Sequence, residues 1–159
     1  MRIRKKKSIL CSVITVFCIS IDQLSKFLVV KQKSEFLYGM EIFYGLNIVY
    51  VENEGISFGL FSNLNISFYL GILSFLISFY IIYLIFDSKR KIEFVCLSLI
   101  LGGAIGNGID RVWNGYVVDF FDVYYENIHW PAFNLADSFI TIGGLIYIWT
   151  IFFNKSNQN

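Results

Sequence analysis

The stretch Ile66 to Phe86 reads ISFYLGILSFLISFYIIYLIF and decides the fold class of this chain. No charged side chain interrupts it, and the acidic and basic residues begin only at Asp87. At about 1.5 Å of rise per residue, a helix of this length crosses the roughly 30 Å hydrocarbon core of a bilayer. The stretch therefore predicts a membrane-spanning helix.

The composition of the whole chain agrees with a membrane protein. It has 159 residues, of which 56% are hydrophobic and 16% are charged, and its mean hydropathy is +0.61. These values are too apolar for a soluble domain of this size, and the length predicts a single domain over 1–159. A net charge of +1 without a basic stripe gives no support for a nucleic-acid partner.

Three further apolar runs are long enough to span a bilayer, and they cover about 8–30, 92–110 and 134–153. The first follows a basic cluster, as the core of a secretory signal peptide does. No small-residue cleavage site follows it, and neither Cys11 nor Cys18 is preceded by the small residue that lipid attachment would require. We therefore expect this run to remain as the first of four spans.

The basic residues predict the orientation of the four spans. The clusters at 2–7 and 89–91 and Lys155 all fall on one side, which the positive-inside rule assigns to the cytoplasm together with both termini. The connections 31–65 and 110–133 then lie outside. They contain strand-like runs at 46–51 and 116–121, which predict a small extracytoplasmic β-cradle resting on the helix ends.

The cysteines and the single histidine give no sign of a metal centre. Cys11, Cys18 and Cys96 lie inside apolar runs, where we expect small hydrophobic side chains without ligand or disulfide roles. His129 has no cysteine or carboxylate at a spacing typical of a metal site. The sequence therefore predicts neither a catalytic metal nor a cofactor.

Polar and ionisable residues gather at one depth, at the predicted outer ends of the spans. Such residues are costly in a membrane, and each is therefore a candidate for a functional site. Two pairs also have a purely structural interpretation: Asp22 and Lys26 can pair at helical spacing, and Asp110 and Arg111 can form an interfacial ion pair. The candidates are Asp22, Lys26, Asn53, Asn107, Asp110, Arg111, Asp119, Asn134 and Asp137.

Gly102 and Gly106 lie on one face of the third predicted span. The surrounding glycine-rich run superficially matches a dinucleotide-binding loop, but that loop needs a preceding strand in a soluble βαβ unit. Small residues four apart in a membrane helix instead favour close contact with a neighbouring helix. We expect these two glycines to bring the third span close to its neighbours.

Asp119 and Asp137 lack a basic partner at helical spacing, and both approach the same predicted boundary. Two carboxyl groups that share a proton supply an acid and a base at one pH, which is the equipment for activating water against an amide. Any pair among Asp110, Asp119, Asp122 and Asp137 would serve equally well, and the spacing does not choose between them.

Five segments of the chain together resemble the lipoprotein signal peptidase family, also called signal peptidase II. They lie in the expected order along essentially the whole chain: Asp22-Gln23-Leu24-Ser25-Lys26; Asn53-Glu54-Gly55 with Phe58-Gly59; Gly102-Gly103-Ala104-Ile105-Gly106-Asn107 with Ile109-Asp110-Arg111; Gly115-Tyr116-Val117-Val118-Asp119-Phe120; and Trp130-Pro131-Ala132-Phe133-Asn134-Leu135-Ala136-Asp137-Ser138.

This resemblance implies an aspartic endopeptidase of the bacterial cytoplasmic membrane. Such an enzyme removes signal peptides from prolipoproteins by cleaving before the diacylglyceryl-modified cysteine, and it is inhibited by globomycin. The catalytic dyad maps onto Asp119 and Asp137. The remaining candidates would line or support the site and contact the lipid-modified substrate or the inhibitor. They are Asp22, Lys26, Asn53, Asn107, Asp110, Arg111 and Asn134.

A substrate held in the membrane presents its cleavage point near the interface, where water is available. We therefore expect a cleft open to the outer surface and roofed by the segment from Asn53 to Phe58, which moves to admit substrate.

The chain departs from many members of the family at Ile56, Ser57 and Gly108, where it lacks two small alanines and an aliphatic residue. These departures affect the predicted cradle and the helix packing rather than the dyad.

Two other functions fit the polar residues. In a small transporter or channel, Asp22, Lys26, Asp110 and Arg111 would form an ion or proton pathway. In a membrane scaffold, the same residues would only join helices through hydrogen bonds. Neither alternative predicts proteolysis.

Overall fold

The computed structural model describes residues 2–55 and 66–154 as five helices and four strands. In chain order these are α1 (Arg2–Lys31), α2 (Lys33–Phe36), β1 (Met40–Phe43), β2 (Leu46–Asn53), α3 (Ser67–Asp87), α4 (Lys91–Trp113), β3 (Val117–Tyr125), β4 (Ile128–His129) and α5 (Leu135–Asn154). Within the described residues, four helices are long and apolar enough to cross a membrane, and they are α1, α3, α4 and α5. The four predicted spans are therefore confirmed.

The helix ends differ from the predicted bounds where charged residues extend a helix beyond its apolar run. α1 begins at Arg2 rather than near 8, since lysine and arginine are good helix formers and no breaker separates them from the apolar run. α4 continues past 110 to Trp113 and ends before Gly115, whose φ of +82° a side chain would strain. The other two spans agree with the prediction to within a residue or two.

α4 is the central helix of the bundle. In its apolar window 61% of the residues are buried, against 28%, 22% and 17% in the windows of the other three spans. Glycines allow the neighbours this close approach: a Cβ at Gly102 would lie 2.5 Å from the Cβ of Cys18, and one at Gly106 would lie 2.7 Å from Asp22 Oδ2. The predicted packing role of both glycines is confirmed, and both face α1.

Two other glycines of α4 serve the remaining contacts. A Cβ at Gly103 would lie 2.4 Å from the carbonyl oxygen of Ala136 at the start of α5. A Cβ at Gly108 would lie 3.3 Å from Ser74 Cβ on α3. Gly108, where the chain departs from many members of the family that it resembles, thus permits α3 to lie close to α4.

The four strands form one antiparallel sheet in the order β1-β2-β3-β4. Its two central strands contain the predicted runs 46–51 and 116–121 almost completely. The sheet packs on the end of α1 through an apolar cluster formed by Val29, Phe36, Tyr50, Val118 and Phe120. The prediction of a small sheet resting on helix ends is confirmed, whereas α2, β1 and β4 were not predicted.

Candidate active site

Asp119 lies near the start of β3, one of the two central strands of the sheet, and is buried. Antiparallel pairing sets it opposite Val51 and places Asn53, the last residue of β2, nearby. The Asn53 side chain donates from Nδ2 to Asp119 Oδ2 at 2.8 Å, and Asn134 Nδ2 donates to Asp119 Oδ1 at 2.6 Å. Both carboxyl oxygens of Asp119 are therefore held by amide donors.

Asp137 lies in the first turn of α5, where it forms a reciprocal pair with Asn134. The backbone N–H of Asp137 donates to Asn134 Oδ1 at 2.9 Å, and the backbone N–H of Asn134 donates to Asp137 Oδ2 at 3.2 Å. This is the geometry of a capping box, which satisfies two N–H groups at a helix start that have no partner within the helix. From α4, Asn107 Nδ2 donates to Asp137 Oδ1 at 2.7 Å.

Asn134 therefore contacts both carboxyl groups. It is fully buried: its side-chain nitrogen donates to the Asp119 carboxyl group, its backbone N–H donates to the Asp137 carboxyl group, and its side-chain oxygen accepts from the backbone N–H of Asp137. Asn134 therefore fixes the two aspartates relative to each other, although they come from a strand and from a helix. Sequence spacing could not show this bridge.

The two aspartates line a cavity of about 690 Å³. Its polar end also contains Asn53, Asn107 and Arg111, and the segment 130–133 forms part of its wall. The remainder is mostly apolar and runs between α3, α4 and α5, where it is lined by Ile77, Ile81, Ile100, Ala104, Ile140 and Ile142. The cavity joins a pair of carboxyl groups to an apolar groove between membrane helices.

Lys26 lies behind this cavity and joins the polar residues of α1 and α4. Its Nζ contacts three acceptors: Asp22 Oδ2 at 2.8 Å, Asp110 Oδ2 at 2.6 Å and Asn107 Oδ1 at 2.9 Å. The contacts with Asp22 and Asn107 are hydrogen bonds and the contact with Asp110 is an ion pair, so this buried charge faces two carboxylates. The contact with Asn107 also turns the amide nitrogen of that residue toward Asp137.

Asp22 connects the same network to the start of α5. Its Oδ1 accepts a hydrogen bond from the backbone N–H of Ala136 at 2.9 Å, and its side chain is completely buried. The pairing of Asp22 with Lys26 predicted from helical spacing is confirmed. The predicted alternative of an Asp110–Arg111 ion pair is replaced by the contact of Asp110 with Lys26.

Comparisons with known proteins decide the family. The family model described as signal peptidase (SPase) II matches residues 14–153. The chain belongs to the signal peptidase II family. That match covers most of the chain, including all nine candidate residues named above.

Relatives and solved structures of similar length agree with this membership. A lipoprotein signal peptidase of Thermodesulfovibrio yellowstonii is 40% identical over 86% of this chain and 90% of its own length. One from Francisella tularensis is 36% identical over 92% and 93%. A bacterial membrane enzyme solved by the in meso method at 2.3 Å resolution has a TM-score of 0.85 and 30% identity, with 94% of this chain and 92% of that chain covered.

Electrostatics distinguish Asp119 within this signal peptidase II. Burial is the main cause that raises the pKa of Asp119 to about 6, and the negative charge of Asp137 raises it further. The hydrogen bonds from Asn53 and Asn134 and the charge of Lys26 act in the opposite direction without cancelling the burial. Asp119 is therefore a carboxyl group that holds a proton more readily than an exposed aspartate does.

The four carboxylates considered from sequence separate clearly in the structure. Asp119 and Asp137 line the cavity. Asp110 faces Lys26 and Gln23 behind it. Asp122 contacts Asn47 at 2.9 Å and His129 at 2.9 Å on the sheet.

The described part of the predicted roof is Asn53 to Gly55, and Arg111 contacts it. Arg111 Nη2 donates to the carbonyl oxygen of Gly55 at 3.1 Å, so the end of α4 holds the chain directly after β2. The remainder of that roof, residues 56–58, and the Phe58-Gly59 segment lie outside the described residues.

Gln23 is the polar residue of this network that the sequence-based candidates did not include. Its Nε2 donates to Asp110 Oδ1 at 3.0 Å and to the carbonyl oxygen of Gly106 at 3.3 Å. It therefore joins α1 to α4 beside the Lys26 contacts. The sequence could have indicated it, since Gln23 is a polar amide within a predicted span, where a polar side chain is costly for the same reason as at Asp22.

Proposed function

We propose that this signal peptidase II is an aspartic endopeptidase that uses Asp119 and Asp137 as its catalytic dyad. The observation that carries the proposal is that Asn134 contacts both carboxyl groups at the polar end of an apolar cavity, Asp119 through its side-chain nitrogen and Asp137 through its backbone N–H. The bridge holds two carboxylates from separate elements in one place where water and an apolar substrate can meet. An ion pathway or a scaffold does not require this arrangement.

The two carboxyl groups take different roles in the proposed reaction. Asp137 lies at the start of α5, where its carboxyl group accepts hydrogen bonds from the Asn107 amide and the backbone N–H of Asn134, whereas burial favours the protonated form of Asp119. Asp137 accepts a proton from water as the water oxygen attacks the carbonyl carbon, and Asp119 donates its proton to the carbonyl oxygen. On collapse, the proton on Asp137 passes to the leaving amine, and Asp119 regains its proton from the hydroxyl.

The supporting residues divide by position. Asn53, Asn107 and Arg111 line the cavity and are placed to contact substrate or inhibitor. Asp22, Lys26, Asp110 and Asn134 hold these groups from behind, through the hydrogen bonds and ion pairs described above. In this proposal Asp22, Lys26, Asp110 and Asn134 influence the reaction only by positioning the dyad and the three residues that line the cavity.

The proposed substrate is a prolipoprotein cleaved before its diacylglyceryl-modified cysteine. The apolar groove between α3, α4 and α5 suits a signal helix that arrives from the bilayer, and the polar end of the cavity suits the peptide bond. The enzyme would act as one domain over 1–159 in the bacterial cytoplasmic membrane, with both termini cytoplasmic and the sheet outside. Globomycin would occupy the same cavity.

The test is cleavage of a diacylglyceryl-modified prolipoprotein by purified protein, followed as a gel shift. Asp119→Asn and Asp137→Asn should each lower the rate by at least about 10³-fold, because each removes one proton-transfer group. Asp122→Asn is the matched control, since it changes a buried aspartate of the same strand that does not line the cavity. The proposal fails if the wild type is inactive or if either dyad variant keeps full activity.

A chelator provides a second control on the same gel. Since the proposed chemistry uses only carboxylates and water, EDTA should leave the cleavage rate unchanged. Loss of activity in EDTA that added metal restores would contradict the aspartic mechanism.

A further inference from the structure

A second cavity, of about 380 Å³, lies between α1 and α3 on a different face of α4 from the dyad. We call it the α1–α3 groove. Its walls are mainly apolar, with Cys11 and Ile19 on α1, Ile82 and Ile85 on α3, and Leu101 and Ile105 on α4. α1 and α3 pack on α4 rather than closely on each other, and this leaves the groove between them.

The length of the groove matches one leaflet of a bilayer. Along α1 its lining runs from Lys7 to Ile19, which at about 1.5 Å per residue is roughly 18 Å. Half of a hydrocarbon core of about 30 Å is roughly 15 Å. The groove therefore reaches from one membrane surface to about the middle of the bilayer.

The groove is narrow. A volume of about 380 Å³ spread over roughly 18 Å gives a mean width on the order of 5 Å for the centres of the atoms that fill it. With one atomic radius added on each side the width is about 8 Å, still less than the roughly 10–12 Å of a helix with its side chains. A single extended hydrocarbon chain fits this space and a helix does not. A signal helix would moreover have to reach the dyad, which opens into the other cavity.

The surface end of the groove is positively charged. Lys7 lines it, and its Nζ donates to the carbonyl oxygens of Phe86, at 3.3 Å, and Ser88. The cluster 89–91 lies next to it where the chain passes from α3 into α4, and Lys6 precedes it on α1, all with exposed side chains. Of these, Arg90 also forms an ion pair with Glu93. Basic residues at a membrane surface attract anionic lipid by about 1 kcal/mol each, and basic pockets between spans bind anionic head groups.

We propose that the α1–α3 groove binds one acyl chain of an anionic phospholipid whose phosphate lies at the basic end beside Lys7. The apolar walls, the one-leaflet length and the basic end each match one part of such a lipid. The bound lipid fills the gap between α1 and α3 on the side of α4 that the substrate does not use. The exclusion of substrate from this groove rests on the proposed dyad, whereas the lipid site itself does not.

The test compares two lipids with identical acyl chains, phosphatidylglycerol and phosphatidylethanolamine, retained by the purified full chain in native mass spectrometry. Val16→Trp should lower phosphatidylglycerol retention at least several-fold by filling the groove. Val13→Trp is the matched control, because Val13 and Val16 are both 59% exposed on α1 and only Val16 lines the groove. Equal retention by these two variants would overturn the proposal.

The head group is tested by charge. Lys7→Gln should reduce the preference for phosphatidylglycerol about fivefold, the equivalent of about 1 kcal/mol, whereas Lys31→Gln at the other end of α1 should not. Equal retention of both lipids by the wild type would overturn the proposal. So would slower prolipoprotein cleavage in Val16→Trp with lipid retention unchanged, since the groove would then hold part of the substrate.

A measurement on the wild type avoids any folding defect of the variants. A phosphatidylglycerol with a photoreactive group along its acyl chain should crosslink to groove residues of α1, α3 and α4, such as Cys11, Ile82 and Leu101. Crosslinks confined to the outward faces of the helices would refute the assignment.

Discussion

Asn134 and Asp137 cap the start of α5 reciprocally, with the backbone N–H of each bonded to the side chain of the other. The Asn134 amide nitrogen takes no part in this cap, and it donates to Asp119 Oδ1 at 2.6 Å. The helix cap and the proposed dyad therefore share one side chain. A substitution at 134 can separate the two roles.

We expect Asn134→Ser to keep the cap and lose activity. Serine accepts the same N–H as a good N-cap residue, but it has no amide nitrogen for Asp119. Cleavage should fall by about 10-fold or more, while stability in detergent should fall by no more than about 1–3 kcal/mol because the cap is kept and only the buried side-chain bonds are lost. Asn134→Asp keeps the cap too, but adds a negative charge beside Asp119 and should reduce cleavage further. Activity near that of the wild type in both variants would show that the bridge has no catalytic importance.

The pH dependence follows from the raised pKa of Asp119. The proposed acid must be protonated, and with a pKa of about 6 its protonated fraction falls up to tenfold per pH unit above that value. The rate of cleavage should therefore decline as the pH rises from about 6 to 8. Asp122→Asn should show the same profile as the wild type. A rate that rises steadily over this range would contradict the role of Asp119 as the proton donor.

Lys26→Met should destabilise the protein strongly. The change leaves the buried carboxylates of Asp22 and Asp110 without their cation. Removing one partner of a buried ion pair lowers the free energy of unfolding by about 3–5 kcal/mol. Lys33→Met is the control, because its ion pair with Glu52 is exposed and is worth about 1 kcal/mol or less. Thermal unfolding in detergent measures both. Similar stability of the two variants would contradict the structural importance of the Lys26 network.

Gly106→Ala should disturb the same network from α4. The added Cβ would lie 2.7 Å from Asp22 Oδ2, so that Asp22 must withdraw from Lys26 or from the N–H of Ala136. We expect a loss of about 1–3 kcal/mol of stability and slower cleavage. Gly144→Ala on α5 meets nothing within 4 Å and should be neutral or slightly stabilising. Tolerance of both substitutions would argue against the tight contact of α4 with α1.

The spans could be predicted from sequence because the bilayer sets a length that an uninterrupted apolar run reveals. Ile66 to Phe86 satisfies that criterion without any knowledge of its neighbours. The central strands were also visible in their β-branched and aromatic residues. β1 was not, because its four residues are exposed and their pairing depends on β2, and the two-residue β4 carries almost no signal of its own.

The site was harder to predict than the fold. The Asp22–Lys26 pair could be expected, since its spacing lies within one helix. The contacts of Lys26 with Asn107 and Asp110 could not, because they join residues more than 80 positions apart, and helical spacing says nothing about them. The choice of Asp119 and Asp137 among four aspartates came from resemblance, and the shared cavity now supports it.

The hydrogen bond between Asp22 and the N–H of Ala136 joins residues 114 positions apart, from the first span and the start of the last. During synthesis Asp22, which anchors the first turn of α5, is therefore made long before that turn. Until the last span has inserted beside α1, Asp137 has neither its anchor nor its partner Asp119. A chain still being synthesised would accordingly have no protease activity.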